Sequence, residues 1–200
     1  MATLPPRLGI LGGSFDPPHV AHLVIASEAC HALGLERVLF VPAAAPPHKG
    51  AGERTPAAVR LEMTSLAIDD DLRFTASGIE IEKGLVYTVD TLRALGERHA
   101  GHELVFIMGS DSLLQLESWH EPQELLSLCS LAVAPRPGDA PEAIAAAAAR
   151  WDGDRVGLLD LPLLDISSSV VRERAARGRP IRYLVPRRVE QYIQETRLYR

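Results

Sequence analysis

The sequence predicts an α/β protein built on a doubly wound parallel sheet. Short apolar runs alternate with longer stretches of helix-like apolar spacing along all 200 residues, which is the pattern of strand–helix–strand units. The chain contains no internal repeat and no proline- or glycine-rich linker that would divide it. We therefore expect residues 1–200 to form one domain, with a small helical part towards its C-terminal end.

Six segments are predicted as strands because they are short, apolar or alternating, and bounded by turn-forming residues. The first is followed by Gly12-Gly13 and the fourth by Gly109, so the backbone can approach a ligand closely at both places. The predicted strands are residues 8–11, 37–41, 78–82, 104–108, 131–134 and 156–159. In a doubly wound sheet, ligands bind beyond the carboxyl ends of the strands, where the strand order reverses. We therefore expect Gly12, Gly109 and residues 165–169 to line one cleft.

Seven segments between the strands are predicted as helices from their apolar spacing and their end signals. Gly34 ends the first helix, and Pro56 takes the first position of the second, after a Thr55 cap. The predicted helices are residues 19–33, 56–68, 88–98, 122–128, 142–150, 168–178 and 186–195. Residues 42–53, rich in alanine, proline and glycine, are predicted to form a surface loop.

The composition argues against several function classes. A net charge of −5 disfavours general affinity for nucleic acids or anionic membranes. Cys30 and Cys129 are far apart and lack metal-type spacing, so we expect free thiols in a reducing compartment. The sequence has neither a secretory signal pattern nor an apolar run long enough to span a membrane. We therefore expect a cytoplasmic protein with no membrane or nucleic-acid partner, and the sequence leaves open whether it forms a homo-oligomer.

The strongest chemical signal lies in residues 9–22, which read GILGGSFDPPHVAH. Glycines between a strand and a helix start bring backbone amides towards an anion, and His19 and His22 share one face of that helix. This combination predicts a phosphate site. The simpler interpretation is two ordinary surface histidines, and a zinc site would need further ligands at a workable spacing. The chain lacks a P-loop sequence and a Gly-x-Gly-x-x-Gly sequence after the first strand, which argues against P-loop kinases, GTPases and dehydrogenases.

Later segments add candidate ligand contacts. In residues 165–172, serines at a helix start offer a cap and free amides, and Arg172 follows about one turn later; a simple cap with a surface arginine is the alternative. Asp111 could bind a ribose hydroxyl or help to hold a metal, or could merely cap a helix. Trp119 could stack on a flat ring or fill the core. Lys49 could bring positive charge to a triphosphate or could be a solvated loop side chain.

Together these motifs carry a family resemblance. Gly-Gly-Ser-Phe-Asp-Pro-Pro-His-x-x-His with Ile-Ser-Ser-Ser-x-x-Arg resembles the signatures of the nucleotidylyltransferase superfamily. The chain is similar, more narrowly, to the bacterial nicotinate-nucleotide adenylyltransferases, through PHK at 47–49, YTVDTL at 87–92, GSD at 109–111, WH at 119–120 and IRYLVP at 181–186. The resemblance runs almost end to end and implies a Rossmann-like nucleotidylyltransferase fold. It also implies the reaction of ATP with nicotinate mononucleotide to give nicotinate adenine dinucleotide and pyrophosphate in NAD biosynthesis, by direct in-line attack.

The resemblance further implies roles for individual residues. ATP would be bound by Gly12, Gly13, Ser14, Phe15, His19, His22, Asp111, Ile166, Ser167, Ser168 and Arg172. Nicotinate mononucleotide would be bound by Ser14, Phe15, Lys49, Tyr87, Thr88 and Trp119. His19, His22 and Arg172 would be catalytic, because they stabilise charge on the reacting phosphates. The implied cofactor is Mg²⁺, which accompanies ATP and is held mostly by phosphate and water, so we expect no metal site made by the protein.

The resemblance is not complete. The family usually has glycine where this chain has Ala21, and threonine where it has Ser169. Alanine is a good helix residue and serine keeps the hydroxyl, so we expect both changes to be tolerated. Two alternatives stay open: a superfamily member using nicotinamide mononucleotide or phosphopantetheine, and a catalytically silent nucleotide-binding module, against which His19 and His22 argue.

Overall fold

The computed structural model describes residues 5–44, 55–151 and 155–200. Its strands are β1 (Arg7–Gly13), β2 (Arg37–Pro42), β3 (Phe74–Ala76), β4 (Glu103–Gly109), β5 (Ser130–Ala134) and β6 (Val156–Leu158). Its α-helices are α1 (Val20–Leu33), α2 (Ala57–Ile68), α3 (Ile79–Lys83), α4 (Thr88–Arg98), α5 (Ser110–Leu114), α6 (Pro122–Leu128), α7 (Pro141–Ala149), α8 (Ser168–Ala176) and α9 (Arg187–Thr196). A short 3-10 turn (Leu116–Ser118) follows α5.

The six strands form one parallel sheet in the order β3-β2-β1-β4-β5-β6. The chain builds outwards from β1 through β2 to β3, then returns to the other side of β1 and continues outwards from β4. The strand order therefore reverses between β1 and β4, where Leu11 lies opposite Ile107. The helices leave in opposite directions at such a reversal, and a cleft opens between them. The predicted doubly wound parallel sheet is confirmed.

Two apolar cores lie on the two faces of the sheet, because successive side chains of a strand point in opposite directions. Leu11 of β1 joins the core that is completed by buried residues of α1, α2, α8 and α9. Its neighbour Ile10 joins the core completed by α3, α4, α5, α6 and α7. Since both faces are covered, the central strands read as continuous apolar runs rather than as alternating ones.

The predicted strand at residues 78–82 is wrong. Residues 79–82 belong to α3, in which Ile79 is completely buried, and Gly78 precedes its first turn. Gly84 ends the helix in the left-handed conformation at φ +64°. The edge strand is instead β3, which lies earlier in the chain and pairs with β2. The isoleucines at 79 and 81 suit a strand period, but so short a segment between glycines contains too few residues to distinguish the two periods.

The other predicted elements are present, with ends displaced by at most two residues. Pro56 precedes the first turn of α2 instead of occupying it. The short α5 and the 3-10 turn were not predicted. Residues 45–53 of the predicted surface loop lie outside the described residues.

Among the residues that the structure describes, no helix has the length and apolar character needed to cross a lipid bilayer.

Candidate active site

A cleft of about 850 Å³ opens beyond the carboxyl ends of β1, β4 and β5, where the strand order reverses. Gly12, Gly109 and residues 165–169, which come from three distant parts of the chain, all line it, as the sequence predicts. The predicted site residues that line the cleft are Gly12, Gly13, Ser14, His19, His22, Tyr87, Thr88, Asp111, Trp119, Ile166, Ser167 and Ser168.

His19 and His22 form a stacked pair at the start of α1. Their ring centroids lie 3.7 Å apart with an interplanar angle of 29°. The backbone N–H of His19, the residue that precedes the first turn of α1, donates to Nδ1 of His22 at 3.1 Å. Because Nδ1 accepts this bond, the neutral ring of His22 carries its proton on Nε2. The pair therefore has a defined tautomer at one member and a fixed relative orientation.

Both imidazoles are neutral at neutral pH in this environment. Burial and, to a smaller extent, the positive charge of Arg136 lower the pKa of His19 to about 4. Burial also lowers the pKa of His22 well below its usual value, with smaller contributions from His19 and Arg136. A neutral imidazole still donates one N–H, and a nearby anion raises its pKa. Both imidazoles can thus donate hydrogen bonds while they are neutral, and they can become protonated when an anion binds nearby.

Arg136 was missed by the sequence analysis, although it lines the cleft just beyond β5. Its Nε lies 2.8 Å from Oδ1 of Asp111, and its backbone N–H donates to Oγ of Ser110 at 2.8 Å. Gly109 leaves room for this ion pair, since a Cβ there would lie 2.6 Å from Nε of Arg136. The rule that residues beyond the carboxyl ends of parallel strands line the site would have found Arg136.

A second wall of the cleft carries aromatic rings. Tyr87 precedes α4 and stacks on His120, with ring centroids 4.1 Å apart. Trp119 is half-buried and meets Phe106 edge to face, with centroids 6.2 Å apart and an angle of 73°. Thr88, the first residue of α4, also lines this wall. The wall therefore offers flat apolar surface beside a helix N-terminus.

Two of the predicted site residues that the structure describes, Phe15 and Arg172, are not among those that line the cleft. Phe15 is completely buried, and its ring packs against His22 at a centroid distance of 4.9 Å. Its side chain therefore supports the histidine pair without lining the cleft. Arg172 donates from one terminal nitrogen to the carbonyl of Asp16 at 2.7 Å. A ligand contact for Arg172 therefore stays a prediction. Lys49 lies outside the described residues.

Glu80 is a second residue that the sequence analysis missed. It lines the cleft, and its carboxylate accepts hydrogen bonds from the Thr91 hydroxyl at 2.9 Å and from the Ala44 backbone at 3.2 Å. Burial raises the pKa of Glu80. The carboxylate thus ties α3 to α4 and to the segment that follows β2. The mistaken strand at residues 78–82 concealed this role.

The chain is similar to known proteins over nearly its whole length. The model of the cytidylyltransferase-like family matches residues 10–174, which include the signatures at residues 12–22 and 166–172. A Thermomicrobium roseum protein named "Probable nicotinate-nucleotide adenylyltransferase" is 47% identical over 198 residues, covering 97% of this chain and 92% of that protein. An Exiguobacterium sibiricum protein of the same name is 43% identical over 197 residues, covering 96% and 98% of the two chains.

A solved structure shows the same fold. It is the Plasmodium falciparum nicotinic acid mononucleotide adenylyltransferase complexed with NaAD, which superimposes with a TM-score of 0.80 over 97% of both chains. The sequence identity is 22%, so this likeness concerns the fold.

Proposed function

Because this chain belongs to the nicotinate-nucleotide adenylyltransferases of the cytidylyltransferase-like family, we propose that it transfers the adenylyl group of ATP to nicotinate mononucleotide. The products are nicotinate adenine dinucleotide and pyrophosphate, and the reaction is a step of NAD biosynthesis. We place this reaction in the cytoplasm.

One observation carries the proposal: the two signature segments, residues 9–22 and 165–172, are far apart in the chain and contribute to one cleft. They contribute glycine and serine residues and the histidine pair to its lining, and Arg136 also lines it. Amides at a helix start, combined with donors and a fixed cation, suit a polyphosphate. We therefore place the triphosphate of ATP between the start of α1 and the start of α8.

The reaction exchanges one phosphoanhydride bond for another. An oxygen of the 5′-phosphate of nicotinate mononucleotide attacks the α-phosphorus of ATP, and the bond to the bridging oxygen breaks as pyrophosphate leaves with its electron pair. Both reactants are anionic, so the protein must neutralise charge and hold them in line. His22, through Nε2–H, and His19 donate to phosphate oxygens on which charge increases. Arg136 supplies fixed positive charge.

Mg²⁺ enters this proposal bound to ATP, as part of the substrate. The described residues contain no group of three or more His, Cys, Asp and Glu side chains that could hold a metal ion. Asp111, which lines the cleft, is already paired with Arg136. Mg²⁺ commonly binds substrate phosphates and water, so we place it on the triphosphate. Ser168 and Arg172 remain candidates for contacts with the β- and γ-phosphates.

We place the pyridine ring of the acceptor at the wall formed by Thr88 and Trp119. The indole offers a stacking surface, and the first turn of α4 offers backbone N–H groups at the positive end of a helix. A carboxylate on the ring gains charge-assisted hydrogen bonds there that an uncharged amide cannot make. Nicotinate mononucleotide should therefore be preferred to its amide.

The test is pyrophosphate release from ATP with three acceptors: nicotinate mononucleotide, nicotinamide mononucleotide and phosphopantetheine. We expect release with nicotinate mononucleotide, at a kcat/KM about 10- to 100-fold above that of the amide. Equal values for acid and amide would contradict the acceptor assignment. No release with any acceptor would contradict catalysis and leave a nucleotide-binding module.

A further inference from the structure

The turn of residues 14–19, between β1 and α1, places both imidazoles but is held largely by distant side chains. Phe15 has a positive φ of 46°, which is uncommon for a residue with a side chain. Three carbonyls of the turn accept hydrogen bonds from other elements: Ser14 from Arg60 at 2.7 Å, Asp16 from Arg172 at 2.7 Å and Pro17 from Ser168 at 2.8 Å. The shape of the turn therefore depends on α2 and α8 as well as on its own sequence.

Tyr199 adds a fourth restraint, which reaches the turn's only acidic side chain. Its Oη donates to Oδ1 of Asp16 at 2.6 Å and lies 4.0 Å from Sδ of Met63. Burial and the Asp16 carboxylate raise the pKa of Tyr199, so the hydroxyl keeps its proton and remains a donor. Asp16 is thus held at its carbonyl by Arg172 and at its carboxylate by Tyr199.

The segment that follows α9 has the backbone conformation needed to deliver this hydroxyl. Arg197 ends α9 at φ +54°, and the backbone N–H of Leu198 donates to the carbonyl of Ile193 at 3.1 Å. Tyr199 itself has φ +68°. A left-handed residue with a side chain persists only where surrounding contacts compensate for its strain. Two such residues close together indicate that the contact of Tyr199 with the turn is a favourable one.

We propose that Tyr199 is a positioning residue for adenylyl transfer: its hydroxyl fixes the Asp16 carboxylate and, through it, the turn that orients His19 and His22. Without the hydroxyl, Arg172 still holds the carbonyl of Asp16, so the turn keeps its fold and loses part of its restraint. The loss should appear in kcat more than in KM, because the imidazoles meet the most charge in the transition state.

The experiment compares Tyr199→Phe with Tyr192→Phe. Tyr192 is a matched control, because its Oη also donates to a carboxylate oxygen, that of Glu62 at 2.8 Å. Tyr192 lies on α9 and Glu62 on α2, so this hydrogen bond does not involve the turn. We expect kcat for adenylyl transfer, per folded molecule, to fall about tenfold in Tyr199→Phe and to stay within about twofold in Tyr192→Phe. The imidazole NMR signals of His19 and His22 should shift in the first variant and not in the second.

A double-mutant cycle tests whether the hydroxyl acts through Asp16. In an Asp16→Ala background, adding Tyr199→Phe should cause no further loss of kcat. An equal loss of kcat from Tyr199→Phe in the wild-type and Asp16→Ala backgrounds would overturn the proposal. So would kinetics and imidazole signals of Tyr199→Phe that match those of Tyr192→Phe. A loss explained wholly by a smaller folded fraction would also overturn it.

The kinetic part of this test rests on the proposed function, whereas the NMR part does not. If the wild-type protein shows no adenylyl transfer but the imidazole signals still shift only in Tyr199→Phe, the proposed function fails and the positioning role stands.

Discussion

The histidine pair owes its chemistry to its surroundings more than to its residue type. An ordinary histidine titrates near neutral pH, but burial lowers the pKa of His19 to about 4. Stacking at 3.7 Å also makes double protonation unfavourable until an anion compensates. The sequence predicts two cationisable side chains, whereas burial lowers the pKa of both and so favours two neutral donors at neutral pH. The difference arises because burial depends on tertiary packing, which the sequence pattern does not reveal.

Replacing His22 should reduce catalysis strongly while leaving the fold intact. His22→Ala removes the Nε2–H donor, so we expect kcat to fall by at least about 100-fold. The control is His31→Ala, in the exposed last turn of the same helix, which should keep its kcat. Steady-state kinetics, with circular dichroism to verify folding, measure both. An unchanged kcat in His22→Ala would remove this residue from the mechanism.

His19 should make stability depend on pH in a specific window. Its pKa is about 4 when folded and 6.5 when exposed, so the unfolded chain binds the proton more tightly. The contribution of neutral His19 to the free energy of unfolding is complete above pH 6.5. It is lost as the pH falls towards 4, by roughly 3 kcal/mol in total. We expect the unfolding free energy of the wild type, relative to that of His19→Asn, to be lower at pH 4.5 than at pH 7.5. Urea titrations at the two pH values measure this difference. A constant difference would contradict the pKa.

At the scale of elements, long periodic segments were predictable and short ones were not. The strand, glycine turn and helix of residues 7–33 follow from apolar spacing and from Gly34 at φ +60°. The helix α3 was mistaken for a strand, because five residues between glycines fit either period. The edge strand β3 is defined by its pairing with β2. A strand of three residues is too short to show a distinct hydrophobic pattern in the sequence.

The end of β4 should tolerate no side chain at its last position. Gly109→Ala places a Cβ where the Asp111–Arg136 ion pair lies, so we expect lower affinity for ATP and a kcat/KM reduced about tenfold or more. Gly96→Ala, within α4, is the control, because the added Cβ would make only an ordinary contact, at 3.8 Å from Cδ1 of Leu104 in β4. That change should raise the unfolding free energy by up to about 1 kcal/mol. Equal kinetics for the two variants would contradict the role of the ion pair.

The turn that carries Trp119, after the 3-10 helix, should determine acceptor binding. Trp119→Ala removes the indole from the second wall of the cleft while the histidine wall stays in place. We expect the KM for nicotinate mononucleotide to rise about tenfold and that for ATP to change less than about twofold. The measurement is a pair of saturation curves, one for each substrate. Equal increases in both KM values would contradict the stacking assignment.

At the scale of the whole molecule, function depends on contacts between distant parts of the chain. The sequence predicts the fold class, and the glycine and serine signatures predict which segments share a cleft. It does not predict the pairing of Asp111 with Arg136 or the contact of Tyr199 with Asp16. These pairs depend on strand order and on how α9 packs against α2, and no local pattern encodes either.

The most direct test is an NMR titration of the histidine side chains with and without a non-hydrolysable ATP analogue. If the triphosphate lies against the pair at the start of α1, saturation with the analogue should raise the pKa of His19 from about 4 by at least one unit, and that of His22 should rise with it. Saturating binding that leaves both imidazoles unchanged would contradict the account.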